Sequence, residues 1–176
     1  TRYGTVTGVQ TCALPICALT PHSIMIEDFR VSVKIPGSLE EVWRRLVDWK
    51  AQGEWMLMTK VTSSDRNSND SGIGTTIDAV TGIGRFGLLD RMKVTEWQPP
   101  NFCAVEHYGK WIKGIGEFRL VELDDRDGGP KVRFDWYERI DAPRLILALI
   151  KPGVLLGVYI SLRRFARSFT AQGATE

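Results

Sequence analysis

The feature that most limits the fold of this chain is a run of six strand-like segments between residues 56 and 141. In most of them apolar and polar residues alternate, which is the pattern of a strand with one buried face. The stretches between them, such as DRNSNDSG (65–72) and DDRDGGP (124–130), are rich in residues that tolerate turn dihedrals. The pattern therefore predicts an antiparallel sheet built from hairpins, with strands at 56–64, 74–81, 85–98, 102–109, 113–124 and 131–141.

The segments that flank this run predict one more strand and a helix on each side. FRVSVKIP (29–36) alternates and is β-branched, so it is a strand. A helix over 38–49 begins at Ser38 with Glu41 in the capping-box position, and a short second helix passes through 53–55. An apolar helix closes the chain from about Pro143 to about residue 172, kinked or broken at 151–153 by a proline. A sheet that must bury one face beside a single long apolar helix curls around it, so the fold class is α+β.

The first residues have no periodicity and are interpreted as foreign to the fold. Translated back into codons, residues 6–16 can be encoded by the reverse complement of a common sequencing-adapter oligonucleotide, and residues 1–5 fit the sequence that precedes it. We interpret 1–16 as translated adapter and 1–24 as a non-native or disordered leader, followed by a single domain over 25–173. A real tail or a degraded signal peptide is the alternative.

Composition and charge indicate an ordinary globular domain. The chain is 43% hydrophobic and 25% charged, and its net charge of +2 gives no general attraction to nucleic acid or to an anionic membrane. Beyond the first sixteen residues there are two cysteines, Cys17 and Cys103, which are too few for a disulfide framework and lack metal-ligand spacing. The sequence therefore indicates no metal, no cofactor and a reducing, cytoplasmic compartment.

One apolar stretch, LILALIKPGVLLGVYISL (145–162), is long enough to raise the question of a membrane span. Lys151 and Pro152 fall near its middle, where a charge is costly and a proline interrupts backbone hydrogen bonding. A buried amphipathic helix is the favoured interpretation. The alternative is contact with a membrane or a protein partner through 145–167, because Arg163, Arg164 and Arg167 follow the apolar run.

Several strings in this order resemble a known superfamily. They are VSVKIPGSLEEVWRRLVDWKAQGEW (31–55), KVTEWQPPNF (93–102), GIGEFRLVEL (114–123) and the long C-terminal helix. Together they resemble the START/pollen-allergen superfamily, called SRPBCC, and in particular its polyketide cyclase/dehydrase and lipid-transport family. The resemblance covers about residues 28–172. It implies a helix-grip fold, in which a seven-stranded antiparallel sheet wraps the C-terminal helix around an apolar cavity. It also implies a lipid, sterol, polyketide or quinone ligand, with catalysis in a minority of members and no catalytic signature that transfers residue by residue.

Strand parity gives four candidate residues for proton transfer. Because alternate residues face the same side of a strand, Glu138, Asp90 and Glu106 each share a face with the apolar residues of their segment. His107 has the opposite parity to Glu106. A carboxyl group in an apolar cavity has a raised pKa, suits general acid-base catalysis or ligand anchoring, and needs a partner. The alternative is that the carboxylates reach solvent or pair with arginines and that His107 is structural.

Aromatic and sulfur-containing side chains give the candidate ligand contacts. Six tryptophans in so small a domain offer adaptable surface for a flat apolar ligand. The candidates are Trp55, Met56, Phe118, Phe134, Trp136 and Tyr159. The alternative is that these residues only fill the core.

The preferred hypothesis is that a hydrophobic small molecule, lipid-, polyketide- or quinone-like, binds in an internal cavity of a carrier or sensor. One alternative is a polyketide aromatase/cyclase or dehydratase that moves a proton with a cavity carboxylate or His107. The other is the membrane- or partner-associated module described above. The oligomeric state is not predicted.

Overall fold

The structure is a computed structural model, and it describes residues 24–64, 72–83, 86–123 and 129–170. The predicted leader falls outside the described residues except for Ile24, which begins the first strand. The elements follow in the order β1 (Ile24–Pro36), α1 (Leu39–Leu46), α2 (Gln52–Trp55), β2 (Thr59–Ser64), β3 (Thr76–Ile83), β4 (Phe86–Gln98), β5 (Phe102–Tyr108), β6 (Lys113–Leu123), β7 (Lys131–Pro143) and α3 (Arg144–Thr170).

The seven strands form one antiparallel sheet in the order β1-β7-β6-β5-β4-β3-β2. From β2 to β7 each strand pairs with the next along the chain, as the hairpin connections predict. β1 returns to pair with β7 along its whole length, from Ile24 opposite Pro143 to Pro36 opposite Lys131. A seven-stranded antiparallel sheet with a long C-terminal helix confirms the predicted α+β helix-grip fold.

One hydrophobic core joins the sheet to the helices. Phe165 of α3 packs against Trp55 of α2 with ring centroids 4.7 Å apart, and against Phe134 of β7 at 6.4 Å. At the other side of the core, Trp43 of α1 lies 4.9 Å from Trp97 of β4. The helices therefore cover the same face of the sheet, and the side chains on that face form the interior.

The predicted start of α1 is confirmed, since the Ser38 side chain accepts a hydrogen bond from the backbone N–H of Glu41. The predicted start of the second strand is wrong. β2 begins at Thr59 rather than at residue 56, because residues 56–58 form a loop in which Met58 has a φ of 52°. This loop bends toward the interior and becomes part of the site described below.

Of the two alternatives predicted for the C-terminal helix at 151–153, a kink or a break, the break is wrong, since α3 runs continuously through Pro152. Proline lacks the N–H that would bond the carbonyl of Ala148. Ala148 and Pro152 are both exposed, so water can bond that carbonyl and the helix continues. Among the helices of the described ranges, none is both long and apolar enough to cross a membrane.

Candidate functional site

A cavity of about 370 Å³ lies between the concave face of the sheet, α3 and the loop at 56–58. Its wall is largely apolar, with three polar groups from the sheet interior and two threonines. The lining residues are Phe29, Met56, Leu57, Met58, Thr59, Ala79, Thr81, Leu88, Asp90, Met92, His107, Ile112, Trp136, Glu138, Ile140, Gly153, Val154, Gly157 and Val158. The size is within the range of small-molecule sites.

The polar wall of this cavity is a chain of polar side chains in contact with one another and centred on His107. Its Nδ1 atom lies 3.0 and 2.9 Å from the two carboxylate oxygens of Asp90. Its Nε2 atom lies 3.0 Å from Oε2 of Glu138. The indole Nε1 of Trp136 donates a hydrogen bond of 2.7 Å to the other oxygen of Glu138. We call Asp90, His107, Glu138 and Trp136 the polar cluster.

The strand register brings these residues together. His107 of β5 pairs with Met92 of β4, so Asp90, two residues along β4, lies diagonally beside it on the same face. Glu138 of β7 pairs with Gly116 of β6, which separates it from β5. A Cβ atom at Gly116 would lie 3.1 Å from Glu138 Oε1 and 3.2 Å from His107 Nε2. The missing side chain therefore lets the imidazole and the carboxylate meet across β6.

Electrostatics keep the His107 ring protonated at neutral pH. Burial by itself lowers the pKa of the ring, but the negative charge of Glu138 close to Nε2, the hydrogen bond to Asp90 and the negative charge of Asp90 outweigh it and raise that pKa to about 10. Among the described residues, no acceptor lies in line with the Nε2–H bond, although Glu138 is close. The contact with Glu138 is thus mainly an ion pair, whereas Nδ1–H donates to Asp90.

The structure brings three of the four proton-transfer candidates together. Asp90, His107 and Glu138 line the cavity, and the partner that a buried carboxylate needs is His107 rather than an arginine. Glu106 does not join them, since its side chain is exposed on the opposite face of β5. The placement of Glu106 from parity is therefore corrected. Both faces of β5 carry buried apolar residues, so alternation does not distinguish its inner from its outer face.

The ligand-contact candidates divide into three groups. Met56 and Trp136 line the cavity. The large rings of Trp55, Phe118 and Phe134 are buried in the aromatic core and are absent from the cavity wall, because they pack against one another and against α3. Tyr159 is exposed on α3, and its hydroxyl accepts a hydrogen bond from Arg163. These four residues therefore lie outside the wall of this cavity.

Sequence reasoning missed the part of the wall that α3 and the rim contribute. Gly153 and Gly157 lie one turn apart, and a Cβ at either would meet no atom within 4 Å. At the rim, the Thr59 and Thr81 hydroxyls lie 2.9 Å apart. A signal was available in the sequence, since two glycines four residues apart in an apolar helix mark a face without side chains.

The polar cluster suits proton transfer or ligand anchoring rather than metal or thiol chemistry. The two carboxylates approach opposite nitrogens of one ring, and among the described residues no group of three ligating side chains could hold a metal ion. Cys103 is buried in β5, and burial raises the pKa of its thiol to about 12, so it is not a nucleophilic thiolate at neutral pH.

Comparison with known proteins shows the fold. No protein-family model matches the chain, and no curated protein has a significant sequence match. Among solved structures, a START superfamily protein from Mycobacterium smegmatis superposes with a TM-score of 0.63 at 11% identity, over 80% of this chain and 97% of that one. The Zhui aromatase/cyclase from a Streptomyces species gives 0.68 at 11% identity, over 83% and 94%. Norcoclaurine synthase from Thalictrum flavum gives 0.59 at 11%, over 86% and 98%. The chain therefore has the same helix-grip fold as these solved structures.

Proposed function

We propose that the protein binds an apolar small molecule inside the cavity, as a carrier or sensor of a lipid-, polyketide- or quinone-like compound. The observation that carries the proposal is an apolar cavity of about 370 Å³ with all its charged side chains gathered in one cluster. An apolar wall contributes affinity through burial of ligand surface, and a few placed polar groups fix the orientation. We expect the protein to act in the cytoplasm.

Two features of the wall support binding rather than a filled core. Gly153 and Gly157 keep one side of the cavity open, where larger residues would have packed it shut. The loop at 56–58 places Met56 and Met58 at the cavity, and Met58 is half exposed. Methionine side chains adapt to irregular ligand shapes because they are unbranched and polarisable.

Native mass spectrometry of the purified protein tests the proposal, followed by extraction and identification of any copurifying compound. We expect an apolar adduct of defined mass that is lost in Gly157→Leu, whose side chain occupies the cavity. The Tyr159→Leu variant is the matched control, because Tyr159 lies on the exposed side of the same helix. If the unmodified protein and the Gly157→Leu variant did not differ in their binding of any apolar ligand, the proposal would be contradicted.

A second candidate function is proton-transfer catalysis on a bound poly-carbonyl compound, as in an aromatase/cyclase or dehydratase. The observation that favours it is the His107 ring held between two carboxylates on the cavity wall. Such a ring can give a proton to a ligand carbonyl while a carboxylate accepts one from carbon, provided that both reach the reacting atoms.

The two functions are separated by comparing binding with turnover. The probe is a short poly-β-ketone thioester, whose cyclisation to an aromatic product is followed by absorbance. If the protein is an enzyme, the Glu138→Gln variant should still bind this probe. Its turnover should fall by about 100-fold or more, the scale of one general acid-base group. The exposed Glu106→Gln variant would keep full turnover. Binding without turnover in the unmodified protein would support the carrier.

A further inference from the structure

We propose that the cavity selects its ligand by charge, and that the ligand is an apolar molecule bearing an amine or hydroxyl donor, not a carboxylate. This inference rests on the proposed function, since it concerns the same cavity. It names the chemical class of the ligand and the residue that recognises it, Asp90.

The first step of the argument is the balance of charge on the wall. Two carboxylates, Asp90 and Glu138, face one imidazole, His107, and no lysine or arginine is among the described residues that line the cavity. With the ring protonated, the cluster carries one excess negative charge. An anionic ligand would be brought beside that charge in a poorly solvated space, and no cation other than His107 is among the described residues of the wall to compensate it.

The second step is the accessibility of the three groups. The His107 and Glu138 side chains are 2% and 8% exposed, whereas that of Asp90 is 21% exposed and lines the cavity. Asp90 accepts from one ring nitrogen, and a carboxylate has further lone pairs that can accept from a second donor. A ligand N–H or O–H therefore meets an acceptor at Asp90, and a donor to a carboxylate makes a stronger bond than a donor to a neutral group.

The third step concerns three cations of α3, Lys151, Arg163 and Arg164, which are engaged elsewhere. Lys151 donates to Glu27 over 2.6 Å, and Arg164 donates to the backbone carbonyl of Glu54. Arg163 donates to the exposed Tyr159 hydroxyl. None of these three lines the cavity, so they do not neutralise a carboxylate inside it.

The test uses four probes that share one ring system: two neutral compounds, 2-methylnaphthalene and 2-naphthalenemethanol, the cation 2-naphthylmethylamine and the anion 2-naphthoate. Dissociation constants are measured at pH 7 by ligand-observed NMR. We expect the alcohol and the amine to bind at least as tightly as the hydrocarbon, and the naphthoate to bind at least about tenfold more weakly than the amine, as one uncompensated charge implies.

The variant Asp90→Asn removes the negative charge and keeps an acceptor oxygen. We expect it to reduce the preference for amine over naphthoate by about tenfold. Asp78→Asn is the matched control, because Asp78 is a partly exposed aspartate of β3 that lies near Arg91 and does not line the cavity, and it should leave the preference unchanged. If Asp90→Asn does not fold, the comparison of the four probes in the unmodified protein still decides.

The outcomes separate this inference from the proposed function. If 2-methylnaphthalene binds and 2-naphthoate binds as tightly as 2-naphthylmethylamine or more tightly, charge selection is overturned. The apolar cavity then remains as a binding site. Failure of all four probes would overturn the proposed function and the inference with it.

Discussion

A charged ring in an apolar interior is stable only if its neighbours replace the water that it has lost. For His107 the replacement comes from Asp90 and Glu138, which contact opposite nitrogens of the ring. Glu138 is in turn bonded by the indole N–H of Trp136. Each group depends on the next, so a change at one position is expected to alter the protonation of the ring as well as the packing around it.

The titration of His107 is the most direct test of this arrangement. Its pKa of about 10 in the folded protein lies above the ordinary value of 6.5, so the protonated ring stabilises the fold fully below pH 6.5. That contribution is lost as the pH rises from 6.5 toward 10. We expect the free energy of unfolding to fall across this range, by at most about 1.4 kcal/mol per pH unit for one proton.

NMR of the imidazole signals measures this pKa without unfolding. The chain has two histidines, so His22→Gln assigns the signal of His107. We expect that signal to remain in its protonated position at pH 8. Titration near pH 6.5 would contradict the ion pairing described above, and the pH dependence of unfolding should then be lost as well.

Gly116 is expected to set the distance between the two charged groups. A methyl group there would meet both Glu138 Oε1 and His107 Nε2 at close range, so Gly116→Ala should separate them. We expect a lower pKa of His107 and a loss of about 1–2 kcal/mol in the free energy of unfolding, as for other overpacked sites. Gly153→Ala is the control, because its Cβ meets open space and should leave the pKa of His107 unchanged. An unaltered His107 pKa in Gly116→Ala would count against a positioning role.

The sequence predicted part of this cluster, and the part that it missed has a physical reason. Glu138 was placed correctly because β7 alternates clearly between buried and less buried residues. β5 has no such alternation, since Phe102 and Ala104 are buried on the face opposite Cys103 and Val105. Which face of β5 points inward depends on the tertiary packing of the whole sheet against the helices, and that is not encoded in the local pattern.

At the scale of elements, the order and type of the strands and helices followed from periodicity and turn residues, whereas their ends depended on tertiary contacts. β1 begins at Ile24 rather than at residue 29 because β7 extends to Pro143 and pairs with the added length. The sequence of residues 56–58 predicts a strand. In the structure, however, the backbone N–H of Leu57 donates a hydrogen bond of 2.8 Å to the Ser161 hydroxyl of α3. That tertiary hydrogen bond holds the loop against the helix instead of in the sheet.

We expect the glycines of α3 to lower the stability of the helix and to leave space for the cavity. In Gly157→Leu the new side chain enters the cavity, and the helix gains about 0.8–1 kcal/mol of propensity relative to glycine. We expect the free energy of unfolding to stay the same or rise while the affinity for 2-methylnaphthalene falls at least about tenfold, through loss of the space that the probe occupies. Equal affinity in Gly157→Leu and in the exposed control Tyr159→Leu would show that the ligand lies elsewhere.

At the scale of the whole molecule, the aromatic core makes the helices and the sheet one cooperative unit. Phe118 meets Phe134 and Trp136 edge to face, with centroids 5.5 and 4.9 Å apart, and Phe134 connects to Phe165 on α3. The cavity lies at one end of this packed region, so its wall is held by the same contacts that hold α3 to the sheet. Binding there is therefore expected to stabilise the whole domain.

Phe165 tests this coupling, because it joins α3 to both α2 and β7. It is 1% exposed, whereas Phe86 at the start of β4 is 88% exposed. We expect Phe165→Ala to lower the free energy of unfolding by about 3–5 kcal/mol, the usual range for a buried phenylalanine, and Phe86→Ala to change it by less than about 0.5 kcal/mol. Urea unfolding followed by far-ultraviolet circular dichroism and by tryptophan fluorescence measures both.

In Phe165→Ala the two signals should still change together at one lower midpoint, because the rings that report by fluorescence belong to the same core as the helix. Separate midpoints would mean that α3 leaves the sheet before the sheet unfolds, and the cavity wall would then open without loss of the strands.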